Sequence, residues 1–420
     1  MVEHKSQYRC PFLNQYLKIP KNILDRINAA HPMESESIRH CLGLIVVNLL
    51  TNVEVAYSRD KNFYTENRTR GYTWTNMRKA VDIAEEKGYA IKSQKGYWNR
   101  DFEKGLSSTL STGPRLEEFG PPEEAELDIE SLPLLSVDGK PVFDNIGLAV
   151  QKAHSGSVRL ETRTLLARLD SVYSEALRLN REYWNPMEID HRNVGAKEQC
   201  LSRVGLTRVF KEGEVGRWFQ RGGLSYQELS EEARTKLLLN SKEVMELDYH
   251  AMHPHIMYAW EGKQCPDDFY ERVMSLSGCS RFVAKSVILI AVNARSYRSV
   301  IGAINLDRGR QARANEERAT KKPILYDELK KSKLHTRAII ESVKETHPAL
   351  AKYIYSGAAN RLMLEESDIM TSVLIRLMEL SIPTLPVHDS IIAPVQHATL
   401  VKHIMEDVYS QHTGFRITVD

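Results

Sequence analysis

Asp248 and Asp389 are the two acidic residues whose surroundings suggest chemistry. "VMELD", ending at Asp248, alternates apolar and polar residues as a half-buried strand does, and "HAMHPHIMYAW" then changes to helical spacing, with Pro254 suited to a first turn. An aspartate at such a strand end faces a cleft. "IPTLPVHDSIIAPV", residues 382–395, is apolar on both sides of His388-Asp389-Ser390, the pattern of a hairpin whose tight turn presents an aspartate. Between them, "SRFVAKSVILIAVNARSYRS" spaces Arg281 and Lys285 as i and i+4, on one face if the segment is a helix, with Ala284, Val287, Ile288 and Ala291 as its buried stripe; its β-branched content leaves a strand open. Carboxylate oxygens hold hard divalent ions such as magnesium, two such ions stabilise the attacking and leaving oxygens of a phosphoryl transfer, and paired cations neutralise a triphosphate. His250, His253 and His255 invite a rival reading as a zinc site, but no two of them have the i, i+4 spacing of a helical zinc pair.

The elements that must position these residues belong to a chain of 420 residues, long enough for two or three domains. Lys and Arg number 57 against 55 Asp and Glu, so the net charge of +2 gives no global pull on polyanions and any nucleic-acid site must come from local patches. Such patches are "RTRGYTWTNMRK" near residue 70 and "RGRQARANEERATKK" from 308, although a charge run also serves as a plain solvated helix face. Five scattered cysteines without CxxC spacing read as isolated thiols. No apolar run spans a membrane and the N-terminus lacks secretory-signal features, so a cytoplasmic setting, in a bacterial or phage-infected cell, is the expectation.

Five regions follow. Residues 1–35 are an N-terminal segment. Residues 36–112 form a helical unit in which Thr75 or Asn76 caps a helix over 76–87, ended by Gly88 and followed by a basic β-turn-β element over 89–99. Residues 113–142 are an acidic Pro/Gly-rich linker, 143–198 are helical, and 199–420 hold the candidate site.

The order and spacing of these motifs resemble the family A (polymerase I-like) and single-subunit phage RNA polymerase group. "LDYHAMHPHI" is similar to its motif A, with Asp248 as first metal aspartate. "RFVAKSVILIAVNA" is similar to motif B, with Arg281 and Lys285 at the matching positions, and "PVHDS" to motif C, with His388 and the second metal aspartate, Asp389. "GRWFQRGGLSYQELSEEART" stands where the group has a Gly/Arg motif, and there Arg221 matches a primer-template contact; "FRITVD" suits the final palm strand. The resemblance implies an α/β (α+β) right-hand palm with helical fingers at about 252–345 and a thumb-like region at 143–198. It implies a DNA polymerase without proofreading that extends a 3′-hydroxyl on a DNA template and primer from nucleoside triphosphates, with two Mg2+ ions (or Mn2+) on Asp248 and Asp389. The resemblance also implies that Lys285 protonates the leaving pyrophosphate, that Arg281, Lys285, Tyr249, His253 and Asn293 bind the nucleotide, that Arg221 contacts the primer-template backbone or the nucleotide site, and that His388 binds the nucleic acid. The unit at 36–112 resembles a winged helix, which implies DNA contacts from Arg78 and Lys79; a small helical domain for protein contacts is the alternative.

The chain also departs from the group. Asn293-Ala294 replaces the Tyr-Gly of motif B, His253 replaces the glutamate that excludes ribose, and motif C reads HDS rather than HDE. A ring at His253 still suits exclusion of a 2′-hydroxyl, and deoxynucleotides are the expectation. The rivals are a primer-independent RNA polymerase or primase on the same palm, and a catalytically inactive DNA-binding replication initiator. The setting expected is a phage or mobile element.

Overall fold

A computed structural model describes residues 13–52, 54–59, 64, 72–94, 97–99, 104–106, 108–120, 128, 132–137, 140–142, 169–194, 202–211, 214–221, 225–318 and 323–420. Helices and sheets are mixed, as an α+β chain requires, and the chain divides into two compact units. No single helix among the described residues is long and apolar enough to cross a membrane.

One unit takes in Tyr8–Leu247 and Ser372–Val401. It begins with α1 (Lys21–Ala30) and α2 (Glu36–Thr51), the latter opened by Ser35, whose hydroxyl accepts from the N–H of Ile38 at 3.4 Å. β1 (Glu54–Tyr57), α3 (Trp74–Glu86), β2 (Ala90–Gln94) and β5 (Ser108–Thr112) follow, with a ribbon of β3 (Tyr97–Asn99) and β4 (Lys104–Leu106) between the last two. The sheet order is β1-β5-β2, antiparallel throughout, and Met77, Ala80, Val81 and Ala84 give α3 the buried stripe that their spacing predicts.

Three expectations change here. The cap of α3 is Thr73, not Thr75 or Asn76: its hydroxyl accepts from the N–H of Asn76 at 3.3 Å. The β-turn-β over 89–99 is not a hairpin, because β2 pairs with β5 and β3 with β4; strand choice is decided by the buried register of Leu110 against Val55, which a local turn signal does not carry. Residues on either side of 36–112 also belong to this packing. The N–H of Leu13 donates to Ala56 O at 2.8 Å, and Leu116 and Phe119, from the expected linker, are buried, with the Phe119 ring 5.0 Å from Tyr89.

β6 (Leu135–Val137) and β7 (Lys140–Val142), also from the expected linker, join β10 (Leu206–Lys211) and β11 (Glu214–Gln220) in a sheet of order β11-β10-β6-β7. Of the expected thumb-like region, 143–168 and 195–198 lie outside the described residues; α4 (Leu169–Arg178) runs into a π-helical turn at Leu179–Trp184. Asn180 there is fully buried and satisfied: its amide donates to Ala176 O at 2.8 Å and Leu206 O at 2.9 Å, and its Oδ1 accepts from Leu206 N–H at 2.9 Å. A six-stranded sheet of order β14-β15-β13-β12-β8-β9 contains β8 (Glu188–Asp190), β9 (Ser202–Arg203), β12 (Leu238–Leu239), β13 (Lys242–Asp248), β14 (Leu385–Val387) and β15 (Ser390–Pro394).

The other unit takes in Asp248–Thr371 and Lys402–Asp420. Its helices are α5 (Met252–Trp260), α6 (Phe269–Ser277), α7 (Arg281–Asn293), α8 (Tyr297–Arg318), α9 (Leu325–Ser332), α10 (Thr336–Thr346) and the first part of α11 (Ala359–Glu379), with the end of α12 (Ala398–Thr413). His347, fully buried, stacks on Phe269 at 4.1 Å and donates from Nε2 to its carbonyl at 2.9 Å; burial holds this imidazole below its ordinary pKa.

Candidate active site

Asp248 closes β13 and is exposed. Its backbone is clamped by Asp420: Asp248 N–H donates to Asp420 O at 3.1 Å and Asp248 O accepts from Asp420 N–H at 2.9 Å, while His250 N–H donates to Thr418 O at 2.8 Å. The chain's last residues thus lie alongside the strand end. Ala251, at φ 51°, turns the backbone through the left-handed region into α5.

The three histidines then diverge. His250 Nδ1 lies 3.1 Å from the Asp420 carboxylate, His253 Nε2 lies 2.7 Å from that of the fully buried Glu366, and His255 donates from Nδ1 to Ala251 O at 3.0 Å. Tyr249 departs from its expected nucleotide-binding role. It is 2% exposed and its hydroxyl donates to Met405 O at 2.6 Å, so its ring lies in the core; a side chain next to Asp248 in a strand points the opposite way.

Asp389 lies in the turn between β14 and β15, half-buried, as the apolar runs around it predict. His388 holds φ 58°, a backbone conformation disfavoured for a side chain of its size, and its ring meets Phe219 edge-on at 6.1 Å. Ser390 occupies the place where the resembled motif has a glutamate. Its hydroxyl is 2.6 Å from Glu246 Oε1 and 2.9 Å from Val387 O, and Glu246 takes a bidentate pair from Arg234 at 2.7 and 2.9 Å. Glu246 is two residues before Asp248 on β13, and Ser390, the first residue of β15, directly follows Asp389, so this bond ties β13 to the strand that leaves the Asp389 turn. Nothing in the motif singled out Glu246. Tyr226 and Gln227 hold the same hairpin from behind, each donating to Pro386 O, at 2.8 and 3.0 Å.

The segment after Ser280 is a helix, which resolves the strand alternative. Ser280 caps α7 by accepting from Val283 N–H at 3.4 Å, and Val283, Ala284, Val287, Ile288, Ala291 and Val292 are buried. The exposed stripe reads Arg281, Lys285, Leu289, Asn293 at successive i+4 steps. Arg281 lies 5.0 Å over the Tyr270 ring, and among the described residues neither Arg281 nor Lys285 makes an ion pair. Leu289 was not singled out by its sequence. It is 47% exposed between the cations and Asn293, and the only signal for it was the i+8 position.

Arg78 and Lys79 begin the exposed side of α3. Arg78 lies 5.0 Å over Trp74, Lys79 pairs with Glu34 at 2.6 Å, and Asp82, Glu85 and Glu86 continue the same exposed side. A phosphate backbone laid along this helix would meet three carboxylates beyond its first two turns. Arg221 is half-buried; its N–H donates to Gly205 O at 2.9 Å and its Nε is enclosed without a hydrogen-bond partner among the described residues.

Among the described residues no group of three or more His, Cys, Asp or Glu side chains is arranged to hold a metal ion.

No family profile and no curated protein matches the chain. Among solved structures, the POL domain of Pol1 from M. smegmatis, in complex with DNA primer-template and dNTP, is similar over 94% of this chain and 71% of that one, at 11% identity and a TM-score of 0.30. That score is too low to assign a shared fold.

Proposed function

We propose that the chain is a template-directed nucleotidyltransferase, a DNA polymerase that extends a 3′-hydroxyl from a nucleoside triphosphate. The observation that carries the reading is that β13, which ends at Asp248, and β15, which begins directly after Asp389, are neighbours in one sheet and tied by the bond between Glu246 and Ser390. Asp248 and Asp389 would hold Mg2+, which when bound supplies Lewis-acid polarisation of the phosphate and a lowered pKa for the attacking hydroxyl. Arg281 and Lys285 bind the triphosphate oxygens. The 3′-hydroxyl gives its proton to solvent water and its oxygen forms a bond to the α-phosphorus as the bond from that phosphorus to the bridging oxygen breaks, and Lys285 gives a proton to the departing pyrophosphate. Leu289 and the amide of Asn293 lie next along the exposed stripe and are assigned to the sugar and base. His253, held by Glu366, is a candidate for rejecting a 2′-hydroxyl, and Arg221 and His388 are assigned to the primer-template.

The module around α1–α3 keeps its proposed winged-helix-like DNA-binding role, limited to Arg78 and its neighbours in the first two turns of α3. Primer extension by the full chain with deoxynucleotides and with ribonucleotides, each with and without a primer, tests the reading. Primed incorporation of deoxynucleotides supports it, unprimed incorporation of ribonucleotides favours the RNA polymerase or primase alternative, and no incorporation with any set overturns it.

A further inference from the structure

A strap of chain, 353–358, closes over the C-terminal end of α7. Tyr355 N–H donates to Ala291 O at 2.8 Å, and the N–H groups of Gly357 and Ala358 donate to Val292 O at 2.9 and 3.2 Å, satisfying carbonyls that a helix end leaves over. The wrap requires two left-handed residues, Tyr355 at φ 64° and Gly357 at φ 70°. A Cβ at Gly357 would lie 2.5 Å from Arg295 Nε, so the glycine makes room for that guanidinium, whose Nη1 donates to Ser356 O at 2.6 Å.

Rings and cations alternate along the strap and its flanks. Arg361 lies 4.0 Å over Trp260, which is 5.5 Å from Tyr353; Lys352 lies 5.3 Å over Tyr353, Lys344 lies 5.7 Å over Tyr355, and Arg337 lies 4.6 Å over Tyr297. Arg337 and Lys344 are seven residues apart on α10 and so share one side of it, which joins the Tyr297 end of this band to the strap. Lys352 and Lys344 are partnered by Glu261 and Glu341 at 2.7 and 2.9 Å. Arg295, Arg337 and Arg361 differ: all three are exposed, and among the described residues none makes an ion pair. Their charge is uncompensated, and stacking or a carbonyl already holds each in place.

An arginine held over a ring has given up rotamer freedom before any ligand arrives, and a guanidinium plane is a surface on which an unpaired base can stack. Charge alone would suit any polyanion, and rings alone an apolar partner. Their alternation suits a polymer that carries one flat base and one phosphate at every step. We propose that the strap, with Trp260, Tyr297, Arg295, Arg337 and Arg361, binds an unpaired polynucleotide strand by stacking bases on rings and guanidinium planes and by neutralising phosphates. The surface uses none of Asp248, Asp389, Arg281 or Lys285, so it goes beyond the catalytic reading and its test requires no catalysis.

The test is fluorescence anisotropy of the full chain with labelled oligo(dT), oligo(U) and a duplex of equal length, between about 50 and 200 mM salt. The wild type is expected to hold single strands more tightly than the duplex, and the two single-strand arms tell a DNA-binding surface from an RNA-binding one. The triple variant Arg295→Ala, Arg337→Ala, Arg361→Ala is expected to lose roughly tenfold or more in single-strand affinity and to flatten the logarithmic salt dependence by about 2, from a slope of roughly 0.7 per phosphate contact. Tyr297→Leu should weaken binding about fivefold at every salt concentration without changing the slope; thermal melts of each variant exclude unfolding as the cause. Equal single-strand affinity and slope in wild type and triple variant would overturn the proposal. So would a duplex that binds as tightly as the single strands and loses as much in the triple variant.

Discussion

α3 and α7 are each 13 residues long, each opens on a hydroxyl cap, Thr73 and Ser280, and each carries two cations in its first two turns. Their surroundings differ. Lys79 is neutralised by Glu34, and Asp82, Glu85 and Glu86 line the rest of the exposed side of α3, with Lys92 bridging Asp82 and Glu85 at 2.9 and 2.6 Å. No acidic residue occurs anywhere in α7, and its exposed stripe runs from cations to a leucine and an amide. Equal numbers of basic residues therefore give very different available charge, and α7 is the better suited of the two to a multiply charged anionic ligand.

The largest expected effect bears on the chemistry that α7 is proposed to serve. Asp389→Asn should lower incorporation by about 10³-fold or more while oligonucleotide binding stays near wild type, since the loss is in transition-state stabilisation. Retained incorporation in a primer-extension assay would remove the carboxylates from the mechanism. Next come the helices themselves. Arg281→Ala or Lys285→Ala should reduce kcat/KM for the triphosphate by about 10²-fold, as loss of a charged phosphate contact does, whereas Arg78→Ala should leave it within about twofold because that cation only positions on a backbone. Similar losses from both helices would erase the contrast between them.

The unit that contains α3 also buries His191, fully enclosed with both ring nitrogens lacking a hydrogen-bond partner among the described residues. Burial pushes its pKa down to about 4. It is neutral when folded and takes a proton below about 6.5 when unfolded, so its contribution is present above that pH and is lost as the pH falls towards 4; the total is on the order of 3 kcal/mol. Urea unfolding at a series of pH values should show this decline for wild type and a flatter one for His191→Leu. The smallest effect is the sharpest comparison. Thr73→Ala and Ser280→Ala should each cost about 1 kcal/mol in thermal stability, yet only Ser280→Ala should raise KM for the nucleotide, because only its helix end presents the phosphate-binding cations.

Much of the candidate site was legible because it is written in local periods. The alternation up to Asp248, the apolar flanks of His388-Asp389 and the i, i+4 spacing of Arg281 and Lys285 each describe a few neighbouring residues, and each element formed where its pattern predicted. What escaped depends on partners distant in sequence. β2 chose β5 over its nearest neighbour, residues 135–137 of an apparent linker became a strand beside β10, and Asp248 found Asp420. Glu246 and Glu366 looked like ordinary charges until their partners, Ser390 and His253, were in place. Tyr249 was misjudged for a related reason: its nearness to Asp248 in sequence is what turns it away, since adjacent strand residues face opposite sides.

The backbone at His388 carries one last implication. Glycine would sit at φ 58° without strain, and there a bare turn would relieve on the order of 1 kcal/mol. A chain shaped for robustness alone would have no imidazole at that corner. Thermal melts of His388→Gly should therefore show a more stable chain, and under the proposed primer-template role its primer extension should be weaker, a position where working and enduring pull in opposite directions.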